Sequence, residues 1–244
     1  MADALANEPL ALEVKKLTKV FGDRKALDNV SFSLPQGAFL SIFGPNGAGK
    51  TTMLRMLSTL ARPTSGTIRV MGIDAKEDPD KVRDHIGLIS HNSMLYPDLT
   101  AMENMMFVAR LYGMVDPEAR VRELLRAVEL DHRRFDSVRT FSRGMTQRLS
   151  IARALINDPD VVFLDEPYAG LDPHAVEIFD ELIASLREGR TFVMVSHELQ
   201  KGFAACTHAM MLARGRVMVC SPKDELDFDE FKGLYRETVG MGVA

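Results

Sequence analysis

The side chains best suited to chemistry begin in GPNGAGKTT, residues 44–52, between an apolar strand-like run and the start of a helix. Its glycines allow consecutive backbone N–H groups to face inward, and the positive end of the following helix adds attraction for an anion. The pattern therefore predicts a phosphate-binding loop. A glycine-rich turn without a ligand is the alternative, and the flanking strand and helix make it the weaker one.

Within this loop we expect the ammonium of Lys50 to reach the β- and γ-phosphates of a nucleotide and the hydroxyl of Thr51 to bind Mg²⁺. The candidate nucleotide ligands of the loop are Gly44, Pro45, Asn46, Gly47, Ala48, Gly49, Lys50, Thr51 and Thr52.

A second polar cluster, Asp165 and Glu166, follows the apolar run VVFL. We expect Asp165 to hold the Mg²⁺, directly or through water, and Glu166 to polarise the attacking water. His197 follows another apolar run and should reach the same sheet edge, where it could bind the γ-phosphate or orient Glu166. An acidic pair that merely caps a strand would be the preferred interpretation without Lys50 upstream. The predicted catalytic residues are thus Lys50, Glu166 and His197.

A third motif, FSRGMTQRLSIARAL, reads as a serine and glycine at the start of a helix. The backbone N–H groups of an outward-facing helix start attract an anion. The phosphate that they bind need not belong to the same subunit.

The surrounding sequence predicts the elements that position these motifs. Strand-like runs and turns fill the first third, and the helix after the phosphate loop should stop near Arg62 and Pro63 because proline disfavours helix in the residue before it. Helical periodicity extends from Thr100 to Asp158, and strands then alternate with a helix, which indicates a mostly parallel sheet. HAMMLARGRVMVCS should form a closing hairpin with its turn at Arg214 and Gly215. We expect an α/β fold with an N-terminal antiparallel β part and an inserted α-helical subdomain. The chain should form one domain over residues 1–244, with a nucleotide-binding core at 1–90 and 158–221, the helical insertion at 91–157, and a tail at 222–244 without a readable role.

Composition narrows the partners. A net charge of −4 over 244 residues gives no global positive field for nucleic acid, and we predict no nucleic-acid partner. The two cysteines fit neither a metal site nor a disulfide framework. The N-terminus does not have the pattern of a signal peptide. The sequence contains no run of about 18 apolar residues, so we predict no membrane span. If the protein works at a membrane, we expect it to dock there.

Taken in this order, the motifs resemble those of the ATPase subunits of ABC transporters, from about Leu12 to Ser221. FSRGM stands where that family reads Leu-Ser-Gly-Gly-Gln, GLD ends at Asp172 as in the family's dimer-interface loop, and Phe21 stands where an aromatic ring stacks on adenine. The resemblance implies an ATP-dependent head-to-tail homodimer that drives a separate transmembrane permease. It also implies that a signature of Ser142, Arg143, Gly144 and Met145 contacts the ATP bound by the other subunit.

The signature departs from the family pattern at two positions. Arg143 replaces a glycine and Met145 replaces a glutamine, whereas Ser142 and Gly144 are kept. Two interpretations of Arg143 stay open at this point: its charge could tighten the ATP-bound dimer, or its side chain could turn to solvent. We expect the dimer to close in either case.

His91 occupies the position where most members of this family carry a glutamine that ligates magnesium and couples the site to the permease. Nitrogen suits Mg²⁺ less well than oxygen, so we expect the contact of His91 with the ion to run through water. Hydrolysis should then weaken at low pH more steeply than in a His91→Gln variant, and matching pH profiles would refute this interpretation.

The chain resembles the subfamily assigned to haem export in cytochrome c maturation at four features: His91, DLTAMENMMFVARLYG after it, the SRGM form of the signature and DEPYAGLDPH. That resemblance implies export, and a location on the cytoplasmic face of the inner membrane through a permease. Other small exporters of drug or lipid type are the alternative, and a regulatory or repair-type ABC ATPase without a permease is a rival of a different class. The sequence does not identify the cargo.

Overall fold

The computed structural model describes residues 9–90, 92–169, 171–187 and 189–240. Ten strands and eight α-helices lie along these residues, and their order confirms the predicted α/β architecture. His91, the predicted coupling residue, lies outside the described residues.

The N-terminal part forms a four-stranded sheet in which every pair is antiparallel, with the spatial order β2-β1-β4-β5. Alternating buried and exposed residues along β4 show that this strand has one face toward the core and one toward solvent. The strands of this sheet are β1 (Leu10–Phe21), β2 (Arg24–Pro35), β4 (Ser65–Val70) and β5 (Ile73–Asp74).

The second sheet has six strands in the order β10-β9-β3-β8-β7-β6, all parallel except β10, which pairs antiparallel with β9. Every residue of β3, β7 and β8 is buried, as expected for parallel strands covered on both faces. The strands are β3 (Phe39–Phe43), β6 (Ile86–Ile89), β7 (Val161–Asp165), β8 (Thr191–Val195), β9 (His208–Ala213) and β10 (Arg216–Pro222). The last two form the predicted hairpin.

The helices include a group of three, α3 to α5, which pack on one another in the predicted helical region. No helix in the described part of the chain has the length and apolar content needed to span a membrane. The helices are α1 (Lys50–Leu57), α2 (Pro79–Asp84), α3 (Ala101–Leu111), α4 (Glu118–Ala127), α5 (Arg143–Ala154), α6 (Pro173–Leu186), α7 (Leu199–Ala205) and α8 (Phe228–Gly240).

Two apolar clusters cover opposite faces of the parallel sheet. Leu40 and Ile42 of β3 join the cluster formed with the antiparallel sheet and α1. Phe39 and Phe43 of the same strand join the cluster formed with α3 to α6. This alternation follows from the two-residue period of a strand. It holds the end of β3 between the two apolar clusters.

One segment differs from the sequence-based expectation, and a second forms structure for which no prediction was made. The helix after the phosphate loop ends at Leu57 rather than near Pro63, because Thr59 adopts a left-handed backbone conformation with φ of 61°. The tail, which carries no readable motif, forms α8, and Phe231 of this helix is buried in the core with its ring 5.6 Å from that of Phe43. The tail is therefore part of the packed domain.

Candidate functional site

The phosphate loop joins β3 to α1, and its backbone conformation requires glycine at both ends. Gly44 and Gly49 have φ of 149° and 106°. A Cβ atom at Gly44 would lie 2.0 Å from the carbonyl oxygen of Leu212, and one at Gly49 would lie 2.4 Å from that of Ala26. Because a side chain cannot fit at either position, the neighbouring strands hold the loop in one shape.

Lys50 is the first residue of α1, and its side chain folds back over the loop. Its Nζ donates hydrogen bonds to the carbonyl oxygens of Gly44 and Pro45 at 2.7 and 3.0 Å. Burial lowers the pKa of this ammonium, while the charges of Glu166 and Asp165 act in the opposite direction. A positive group therefore lies among the backbone groups that were predicted to bind phosphate.

Thr51 and Asp165 meet at the ends of α1 and β7. The Thr51 hydroxyl donates a hydrogen bond of 3.3 Å to Oδ1 of Asp165. A hydroxyl and a carboxylate oxygen are ligands that Mg²⁺ accepts, so this pair fits the predicted metal. Within the described parts of the chain, no cluster of three or more histidine, cysteine or carboxylate side chains could hold a metal by itself. Such a site would leave the other coordination positions to nucleotide oxygens and water.

Glu166 and His197 follow the neighbouring strands β7 and β8, and their side chains form a pair in which Nε2 of His197 lies 2.7 Å from Oε1 of Glu166. Both side chains are partly exposed, so water can reach them. The backbone of Glu166 has φ of 54°, which is uncommon for a residue with a side chain. Its N–H donates to the carbonyl oxygen of Val195, which anchors this conformation to β8.

A cavity of about 340 Å³ connects these groups to Phe21 at the end of β1. The Phe21 ring is 56% exposed, and Nζ of Lys19 lies 5.0 Å from its centroid. This arrangement leaves an aromatic surface beside the phosphate loop, where a base could stack. The described residues that line the cavity are Phe21, Arg24, Ala26, Asn46, Gly47, Ala48, Gly49, Lys50, Thr51, Thr52, Glu166 and His197.

Arg24 is a member of this cavity that the sequence motifs did not indicate. It pairs with Phe21 across the turn between β1 and β2, and its Nη2 donates to the carbonyl oxygen of Gly47 at 3.4 Å. The turn thus places a guanidinium over the phosphate loop. Only the hairpin pairing of FGDR, which places Arg24 opposite the aromatic residue, could have suggested this position from sequence.

The signature residues lie together at the start of α5 but do not line the described wall of the nucleotide cavity. Ser142 is the N-cap, and its hydroxyl accepts a hydrogen bond of 3.2 Å from the Met145 N–H. A Cβ atom at Gly144 would lie 3.2 Å from Oδ2 of Asp172, so glycine permits the close approach of these two segments. Asp172 itself caps α6 by accepting a hydrogen bond of 2.8 Å from Ala175.

Thr51 and Asp165 also line a second cavity, of about 350 Å³. Arg55, Asn92 and Glu166 also line it. Asn92 is the residue after His91, and Arg55 lies one turn beyond Thr51 on α1. Asn92 therefore lines the same cavity as the predicted metal-binding pair.

Comparison with known proteins agrees with this arrangement. The family model described as "ABC transporter" matches residues 27–169, more than half of the chain. The chain is 35% identical over 218 residues to the Nod factor export ATP-binding protein I of Cupriavidus metallidurans, covering 88% of this chain and 72% of the relative. It is 35% identical over 241 residues to the daunorubicin resistance ATP-binding protein DrrA3 of Streptomyces coeruleorubidus, covering 96% and 76%.

A solved structure shares the fold. It is a dimeric structure of an ATP-binding cassette in a post-hydrolysis state, bound to ADP and phosphate. The TM-score is 0.79 with 30% identity, and the match covers 87% of this chain and 98% of the other. The chain belongs to the ABC transporter family, as an ATPase of that family.

Proposed function

We propose that this chain is the ATP-hydrolysing subunit of an ABC exporter, in which ATP closes a dimer and hydrolysis reopens it. The observation that carries the proposal is the convergence of Lys50, the Thr51–Asp165 pair and the Glu166–His197 pair at one edge of the parallel sheet. Ligands collect at this edge in open parallel sheets. These residues provide phosphate binding, metal binding and a base within one site.

Each residue has a separate part in the proposed reaction. The backbone of the phosphate loop and Lys50 would hold the β- and γ-phosphates, and Thr51 and Asp165 would hold Mg²⁺. The Mg²⁺ supplies charge that offsets the negative phosphate oxygens. Glu166 would accept a proton from the attacking water, and His197 would keep the Glu166 carboxylate in position. Phe21 would stack on the adenine ring.

The start of α5 is proposed to act on the ATP of a second subunit. Ser142 caps this helix and Gly144 lies against Asp172, so the signature and the dimer loop form one surface outside the subunit's own nucleotide cavity. Backbone N–H groups at a helix start suit a phosphate. The dimeric relative, which is bound to ADP and phosphate, supports a homodimer of this chain.

A groove between α2 and α3 is proposed to receive a cytoplasmic segment of the permease. Its cavity of about 490 Å³ is lined by partly exposed apolar and aromatic residues, with Arg83, Asp84 and Arg153 around them. Exposed apolar clusters of this kind mark docking sites. The exposed apolar members are Met94, Tyr96, Phe107, Leu111 and Tyr112. Docking would hold the chain at the cytoplasmic face of the inner membrane, with residues 1–90 and 158–221 as the catalytic core and 91–157 as the helical insertion.

The relatives favour a drug or a lipid as the class of cargo that is exported. One is described by Nod factor export and the other by daunorubicin resistance. Haem export rests on the resemblance at His91, at DLTAMENMMFVARLYG after it, at the SRGM form of the signature and at DEPYAGLDPH, and neither relative carries a haem description. We therefore place haem export second, and a regulatory or repair-type ATPase without a permease third.

Purified protein and its Glu166→Gln variant test the proposed function together. We expect Mg²⁺-dependent ATP hydrolysis by the unmodified protein, and a variant that hydrolyses at least about 100-fold more slowly and elutes as a dimer with ATP. Proteins that co-purify from native membranes in mild detergent, and the absorption spectrum of the sample, then distinguish the cargo classes. A co-purifying permease without haem supports drug or lipid export. Cytochrome c maturation proteins together with haem support haem export, and the absence of a membrane partner supports a regulatory or repair-type ATPase.

A further inference from the structure

A short backbone turn directly follows the proposed base. The N–H of Ala169 donates to the carbonyl oxygen of Glu166 at 3.0 Å, which closes residues 166–169 into a turn. Because Glu166 begins this turn with φ of 54°, the orientation of its side chain depends on the turn being held.

One side of the turn is fixed to the helix that follows it. The hydroxyl of Tyr168 donates to Oδ1 of Asp180 at 2.8 Å. The Tyr168 ring packs edge-on against the Phe179 ring, with the two ring centroids 5.2 Å apart. Tyr168 thus ties the turn to α6, on the core side of the site.

The other side of the turn is reached from α5. Nη2 of Arg143 donates to the carbonyl oxygen of Ala169 at 3.5 Å. Arg143 and Glu166 also line one cavity of about 430 Å³, together with Thr146 and Gln147 of α5. A glycine at position 143 could not make this contact because it has no side chain.

We propose that Arg143 is a positioning residue that links the start of α5 to the turn after Glu166. The inference rests on the proposed function, in which Glu166 is the base and the start of α5 binds the ATP of the second subunit. Engagement of that second ATP would then be transmitted through Arg143 to the Glu166 of the same subunit. Hydrolysis at one site would depend on occupancy of the other.

This role differs in its kinetics from a direct contact with phosphate. A positioning residue for the base affects the rate of the chemical step, whereas a phosphate ligand affects ATP affinity and dimer formation. The variants Arg143→Gly and Arg143→Ala remove the hydrogen bond, and Arg143→Lys keeps a donor. Arg126→Ala removes an arginine from the exposed face of α4 and serves as a control.

Steady-state ATP hydrolysis should show a kcat roughly fivefold lower in Arg143→Gly and Arg143→Ala, with KM within about twofold of the unmodified protein. The Hill coefficient for ATP should stay that of the unmodified protein because ATP-dependent dimerisation is unchanged, and Arg143→Lys should recover most of the rate. In a Glu166→Gln background, dimerisation should need the same ATP concentration with or without Arg143.

Other outcomes would overturn the inference. If KM rises and dimerisation weakens, Arg143 contacts the phosphate of the second subunit's ATP. If kcat, KM and the Hill coefficient are unchanged in both Arg143→Gly and Arg143→Ala, the Arg143 side chain is solvent-exposed and has no role. A circular dichroism melt of each variant separates these results from misfolding, with Arg143→Ala as the better-folded variant. If the unmodified protein has no turnover sensitive to Glu166→Gln, the proposed function fails and this inference fails with it.

Discussion

Nε2 of His197 lies 2.7 Å from Oε1 of Glu166, although the two residues follow different strands. The pair forms because β7 and β8 are parallel neighbours whose carboxyl ends reach the same sheet edge. This contact makes the orientation of the Glu166 carboxylate depend on His197.

Replacing His197 by alanine should lower kcat about 100-fold, because Glu166 would lose its hydrogen-bond partner. KM for ATP should change little, since the phosphate loop is untouched. Steady-state hydrolysis over a range of ATP concentrations measures both values. His174→Ala is the matched control, because His174 is an exposed histidine that contacts Glu129 and not the nucleotide cavity. Full turnover by His197→Ala would contradict the assigned role.

Arg24→Ala should weaken the binding of ATP and ADP by about three- to tenfold and leave adenosine binding unchanged. The guanidinium lies over Gly47 in the phosphate loop, so its removal weakens the binding of the phosphates more than that of the adenine ring. Titration calorimetry with the three ligands measures the effect. Lys25→Ala is the control, since Lys25 pairs with Asp28 at 3.2 Å and does not line the cavity. An equal loss of affinity for adenosine would show that Arg24 contacts the adenine ring instead of the phosphates.

Leu111→Glu should abolish co-purification of the permease while the isolated subunit keeps its ATP hydrolysis. Leu111 is 70% exposed at the end of α3 and lines the proposed docking groove, so a charge there opposes docking without disturbing the core. Val115→Glu is the control, because Val115 is 94% exposed and is not among the groove residues. Retention of the permease by Leu111→Glu at normal yield would exclude the groove as the docking site.

Phe231→Ala should destabilise the protein by about 3–5 kcal/mol, the usual cost of removing a buried phenyl ring. Phe231 is 3% exposed and contacts both Phe43 and Phe203. Urea unfolding followed by circular dichroism measures the free energy of unfolding. Phe135→Ala is the control, since that ring is 69% exposed and should cost less than about 1 kcal/mol. Equal small losses for both variants would show that α8 contributes little to the fold.

The parts of the site that depend on local sequence were predictable. The phosphate loop is a continuous stretch whose glycines suit its backbone conformation, Asp165 is the last of the five buried residues of β7, and Glu166 follows directly. The hairpin of β9 and β10 was also predicted from its turn. In these cases the residues that determine the structure are near neighbours in the chain.

The parts that depend on tertiary packing were not predictable. Arg24 reaches Gly47 through the geometry of a hairpin, and Arg143 reaches Ala169 because α5 packs near the end of β7. The early end of α1 depends on the left-handed Thr59, a residue type that gives no such signal. The tail helix is amphipathic, but its burial against Phe43 requires the sheet to be known first.

The positive φ of Glu166 also has a consequence for the stability of the molecule. A left-handed conformation costs a residue with a side chain of order 1 kcal/mol, a cost that glycine avoids. A Glu166→Gly protein should therefore resist unfolding better than Glu166→Ala, and both would be inactive. The native protein gives up part of its stability to hold a carboxylate at this point, so selection for heat tolerance alone would remove the base and its activity.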